Sequence, residues 1–115
     1  LPLAELVLSS VANVIVAEQS LVEVQGHTDS VPIYSEKFNS NWHLGAARAV
    51  TVVQYLVNAT EFPPEDFKAS SYGEHKPVST NSTSDGRLEN RRVEIYIKKD
   101  WNMVERYVIE QMFEV

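Results

Sequence analysis

The chain has 115 residues, 43% of them hydrophobic and 23% charged, with a net charge of −6. That is the size and make-up of one globular domain, and the acidity excludes a general binder of nucleic-acid backbones, which needs a basic face. There is no cysteine, so disulfides, thiolate nucleophiles and Cys-based zinc sites are excluded, and no run of about 18 to 20 apolar residues is present to span a bilayer.

From about Leu3 to Glu18 the sequence predicts an amphipathic helix. Leu3, Leu6, Val7, Val11, Val14 and Ile15 recur at helical spacing, with Glu5, Ser9, Ser10 and Asn13 between them. Pro2 suits a helix start. Leu21 to Gln25 reads as a strand that stops at Gly26. A loop runs from there to about Ser40, with Val31, Ile33, Tyr34 and Phe38 as its core residues. The strongest predicted helix follows, "NWHLGAARAVTVVQYLVNAT", capped by Ser40 or Asn41, with an apolar stripe of Trp42, Leu44, Ala47, Val50, Val53 (or Val52), Leu56 and Val57. Phe62-Pro63-Pro64 ends it.

Phe67 to Gly73 alternates and ends in glycine, as a second strand does. A polar stretch holds a short helix near Ser84 to Glu89, capped by Thr83 or Ser84. Arg91 to Lys98 alternates cleanly, placing Val93, Ile95 and Ile97 on one face and leaving the other face wet. In the final segment Trp101, Val104, Val108 and Met112 sit at helical spacing behind Asp100 as N-cap, which predicts a C-terminal helix over about 100–115. The expected fold is α+β: a two-layer sandwich of helices on a small mixed sheet, forming one domain over residues 1–115 with a core of about 3–98. A βαβ crossover makes the first two strands a parallel, right-handed pair.

No enzyme template is met. There is no GxSxG elbow, and the glycines at 26, 45, 73 and 86 are scattered, without a GxxxxGK or GxGxxG pattern, so no cofactor is expected. His27 and Asp29 are two apart, but HxxxH and HExxH spacings are absent and catalytic zinc needs more protein ligands than this pair, so no metal is expected. Two charges remain. Arg48 lies in an apolar helix among Gly45, Ala46, Ala47 and Ala49. An arginine in that setting is often a solvated or salt-bridging residue. The small neighbours also give its guanidinium fork room to meet a carboxylate. With Asp29 to take an ammonium, the pair would suit the zwitterionic end of an amino acid.

"GHTD" after a strand, then "NWHLGAARAVTVVQYL", "YGEHKPV" and "SDGRLENRRVEIYI", together resemble the OmpA-like peptidoglycan-binding domain. The helix motif Asn-x-x-Leu-Ser-x-x-Arg-Ala stands here as Asn41 to Ala49. "GHTDSVPI" and the longer loop to "SNWHLGAARA" point to the flagellar stator branch, MotB/PomB. The resemblance covers about Leu3 to Lys98 and rests on four motifs in order. It implies a βαβαβ fold with the family's first strand missing, a sheet edge left open there, and the C-terminal helix as an extension that covers the core or mediates assembly.

The resemblance also implies non-covalent binding of peptidoglycan through the diaminopimelate of its stem peptide. Asp29 and Arg48 match the two ligand-gripping positions, with Thr28, Asn41 and Leu44 at the ligand wall and Arg91, beside Arg92, as a secondary basic position. His27 is expected to be a structural hydrogen-bonding residue. Gly45 replaces the motif serine, for which close packing is the expected reason. The implied setting is periplasmic, as a homodimer tied to the stator A subunit through transmembrane parts, with an anchor or export signal expected upstream of Leu1. The implied rivals are an OmpA-like anchor of another envelope system and a pure dimerisation module.

Overall fold

The computed structural model describes residues 8–13, 21–33, 35–60, 62–98 and 104–110. Residues 8–13 are helical (α1). Strand β1 (Leu21–His27), helix α2 (Asn41–Ala59), a 3-10 turn (Pro64–Asp66), β2 (Phe67–Gly73), α3 (Ser84–Asn90), β3 (Arg92–Lys98) and β4 (Val104–Glu110) follow. Among the described residues the sheet has the order β2-β1-β3-β4. β1 and β2 are parallel, as their helical crossover requires, while β1/β3 and β3/β4 are antiparallel. The architecture is thus mixed α+β.

Register explains the core. Val22 lies beside Ile97 and Phe67, Val24 beside Ile95, and Gly26 beside Val93. Side chains alternate along a strand, so these residues share the face on which α1 and α2 pack. Leu8, Val11 and Ala12 of α1, Ala49, Val52 and Leu56 of α2, and Ile109 of β4 complete the buried cluster. In α1 the polar residues Ser9, Ser10 and Asn13 are exposed, as expected. The rest of the predicted first helix, and Tyr34, lie outside the described residues.

Five expectations change. First, β1 does not stop at Gly26 but continues to His27. Gly26 is needed inside the strand because a Cβ there would collide with the carbonyl oxygen of Gly45 on α2. A Cβ on Gly45 would meet Ser71 Oγ, so the packing reason expected for that glycine holds. Second, the α2 stripe is rotated. Its buried side is Asn41, Leu44, Gly45, Ala49, Val52 and Leu56, whereas Trp42 and Val50 are 48% and 43% exposed. Small residues occupy the line of closest approach to β1, so the larger apolar ones flank it.

Third, residues 104–110 form a strand, not a helix. Tyr107 and Ile109 face the core beside Ile95 and Val93. The segment is rich in β-branched and aromatic residues, and the open edge of β3 offers its backbone a full ladder of partners. Asp100, Trp101 and Met112 lie outside the described residues. Fourth, the second face of β3 is not wet at its start, since Arg92 and Glu94 are both buried. Fifth, in the loop Val31 is exposed rather than core.

Candidate functional site

The candidate site is assembled just beyond β1. A register shift between Gly26 and His27 turns the strand end, and the Thr28 amide donates to the Gly73 carbonyl at 2.8 Å. The Thr28 hydroxyl donates to the Asp29 carbonyl at 2.8 Å, so it braces the loop. Asp29 Oδ1 accepts from the Val31 amide at 3.0 Å, closing an Asx-turn that fixes the carboxylate. Its Oδ2 accepts from Arg91 Nη1 at 2.6 Å. Thr28 and Asp29 are both buried.

Helix α2 brings the other half. Ser40 caps it, its side chain accepting from the His43 amide. Asn41 Nδ2 lies 3.3 Å from the Asp29 carbonyl, 3.1 Å from that of Val31 and 3.4 Å from Glu74 Oε1, which ties the loop to the start of the helix. Leu44 is buried one turn on. Arg48, a further turn along, donates from Nη1 to the His27 carbonyl at 3.4 Å. Its Nε is buried with no partner among the described residues. Burial and the charge of Arg91 hold the Arg48 pKa down, against the pull of Asp29. One guanidinium, that of Arg91, is bonded to the Asp29 carboxylate, while that of Arg48 lies close enough to feel its charge and retains a buried donor unused among the described residues.

All six sequence-predicted residues gather here, and of the two arginines Arg91 is the one directed at Asp29. Arg92 points elsewhere: its Nε donates to Glu94, Nη1 to the Asn90 carbonyl and Nη2 to the Lys76 carbonyl. Tyr96 and Arg106 donate to Glu94 as well. His27 faces this second cluster. Its ring stacks on Tyr72 at 5.5 Å between centroids, with Nε2 3.8 Å from Glu94 Oε2. Neither ring nitrogen has a hydrogen bond among the described residues, so packing replaces the hydrogen-bonding role expected of it. Burial, then Arg92, push its pKa down to about 4 despite Glu94, leaving it neutral at pH 7.

Sequence reasoning missed the support behind the loop. Asn90 is fully buried. It accepts from the Val78 and Ser79 amides and donates to the Ser79 carbonyl and to Asn81 Oδ1. Asn81 Oδ1 in turn accepts from the Ser30 amide at 3.3 Å, one residue past Asp29. Arg87 Nη1 donates to the Asn81 carbonyl. The only signal was a polar residue at the foot of a short helix, "LEN". Among the described residues no group of three or more His, Asp or Glu could hold a metal, and no helix is long and apolar enough to cross a membrane.

The fold and the site define a small α+β module that carries a charged cluster at the end of a central strand. The chain belongs to the OmpA family, whose sequence profile matches residues 2–91. It is similar to "Motility protein B" of Bacillus subtilis, 46% identical over 74 residues, or 64% of this chain. The chain spans only 28% of that protein's length. The C-terminal domain of Helicobacter pylori MotB superposes with a TM-score of 0.77 at 31% identity, covering 84% of this chain and 74% of that one. The cell wall anchor of the T6SS from Pseudomonas aeruginosa also superposes at 0.77, with 34% identity, covering 84% and 66%.

Proposed function

We propose that this domain acts by binding and not by catalysis: it holds peptidoglycan non-covalently, through the zwitterionic end of diaminopimelate in the stem peptide. The observation that carries the reading is the buried Nε of Arg48, without a partner among the described residues, near an Asp29 already bonded by Arg91. One carboxylate between two arginines leaves one positive charge in excess. A ligand carboxylate completes the Arg48 fork, and its ammonium takes the Asp29 oxygens. Asn41, bonded to the Asp29 and Val31 carbonyls, ties the loop to the start of the helix.

In this reading the domain is periplasmic and anchors a flagellar stator unit, working as a homodimer with the A subunit held through membrane-spanning parts. Similarity to motility proteins of two organisms supports that setting. A second reading, an anchor for another envelope system, is supported by the equally good superposition on a T6SS cell wall anchor. An upstream transmembrane helix with an acidic residue favours the stator, since intramembrane carboxylates mark ion pathways. A lipid-attachment motif or a β-barrel favours the second reading.

The test is a pull-down with purified peptidoglycan. Asp29→Ala and Arg48→Ala should each weaken binding about tenfold or more, the effect of losing a charge-assisted hydrogen bond. Wild-type binding in both variants would refute the site.

A further inference from the structure

We infer that Trp42 and His75 form a platform for a sugar ring of the glycan strand, a second subsite beside the peptide clamp; this rests on the peptidoglycan reading above. Trp42 sits in the first turn of α2 and His75 in the turn after β2. Their rings stack at 4.9 Å between centroids and 29° between planes. Both residues are exposed, Trp42 by 48%.

The pair is held stiffly. Gly73, at φ +56, makes the turn that brings His75 across, and a side chain there would press on the Trp42 amide. The His75 amide donates to the Tyr72 carbonyl at 3.0 Å, closing that turn. Ser71 Oγ donates to the Trp42 carbonyl at 2.8 Å, pinning the helix start to β2. A large indole so braced, yet left half in water, gains little by staying uncovered.

Location selects the occupant. Trp42 follows Asn41, and His75 follows Glu74. Asn41 Nδ2 reaches both Glu74 Oε1 and the Asp29 carbonyl, so the platform adjoins the clamp. In peptidoglycan the stem peptide hangs from an amino sugar, so a ligand gripped at Asp29 and Arg48 carries pyranose rings with it. One face of a pyranose is lined with C–H groups and packs flat on an indole, while its rim of hydroxyls needs polar neighbours. Glu74, next to His75 and within 3.4 Å of Asn41 Nδ2, supplies a polar group for that rim.

The experiment compares two probes by calorimetry on the whole domain: a diaminopimelate-containing tetrapeptide, and the same peptide on its disaccharide. Wild type should bind the disaccharide-peptide about fivefold more tightly, the scale of one aromatic stacking contact. Trp42→Ala should erase that preference and leave peptide affinity unchanged, and Trp42→Phe should keep part of it. Thermal melts establish that both variants fold. Equal affinity of wild type for the two probes, or an undiminished preference in Trp42→Ala, would overturn the platform while leaving the clamp standing. Loss of self-association in Trp42→Ala with the preference intact would reassign the surface to a protein contact. Failure of wild type to bind either probe would instead remove the peptidoglycan reading, and the platform with it.

Discussion

Glu94 is bonded by two arginines, Arg92 and Arg106, whereas Asp29 is bonded by one, Arg91, with the charge of Arg48 nearby; Arg91 and Arg92, neighbours in the chain, go one to each carboxylate. Around Glu94 the network is closed. Both oxygens are engaged, by Arg92 on one side and by Tyr96 and Arg106 on the other. Burial alone would raise the Glu94 pKa, but hydrogen bonds from Arg106, Tyr96 and Arg92 hold it down at about 2. The surplus positive charge rests on Arg106, whose side chain is 48% exposed, where water screens it. Around Asp29 the surplus rests on Arg48, with a buried nitrogen that has no partner among the described residues. The Glu94 carboxylate is fully engaged, although His27 beside it keeps two neutral ring nitrogens buried without a partner among the described residues; at Asp29 the unused nitrogen belongs to a charged guanidinium, and that difference is what supports the proposed ligand there.

Both clusters hang from the crossing of Gly26 and Gly45, so Gly26→Ala should take both down together. We expect a loss of about 3 kcal/mol or more, since backbone must move to admit the methyl, measured by urea unfolding. Next in size, Glu94→Gln leaves buried Arg92 without its counter-charge and should cost about 3 kcal/mol. Binding to peptidoglycan by the folded fraction should be unchanged. A cost below about 1 kcal/mol, the range of a surface pair, would show that the Glu94 cluster is not the closed element described.

The smallest of these effects is a pH slope. His27 is about 4 in the folded protein against 6.5 for an ordinary histidine, so the unfolded chain takes up the proton first. Stability is full above about 6.5 and falls as pH drops toward 4, by at most about 1.4 kcal/mol per pH unit for one group. Glu94, with its depressed pKa, adds a further loss below about 4.5 that continues toward 2. His27→Gln should flatten the melting temperature between pH 6.5 and 4. A slope unchanged in that variant would remove His27 from the closed cluster.

Much of this was legible in the residues. The three strands of the central βαβ and its antiparallel neighbour followed from alternation and breakers, and the placing of Asp29 and Arg48 in one neighbourhood followed from two opposite charges with small residues around one. What was hidden depended on contacts distant in sequence. Val104 and Val108 fit a helix as well as a strand, and only the open edge of β3 decides between them. Alternation marks Arg92 and Glu94 as solvent-facing, yet pairing across β1 and β4 buries them. Hydrophobicity counted Trp42 into the core, while the line of approach to β1 needed Gly45 and Ala49. Asn90 and Asn81 follow no period at all, because their roles lie in loop carbonyls and amides that meet only in the fold.

The measurement that bears most directly on the difference between the two clusters is Arg48→Met, followed by thermal melting and by peptidoglycan binding on the same sample. Methionine keeps the length of the side chain and removes a desolvated charge that repels Arg91. The variant should melt at or above the wild-type temperature, with a gain of up to about 1 kcal/mol, and should bind at least about tenfold more weakly. A variant that melts well below wild type and still binds would make Arg48 a structural residue and the open clamp an error.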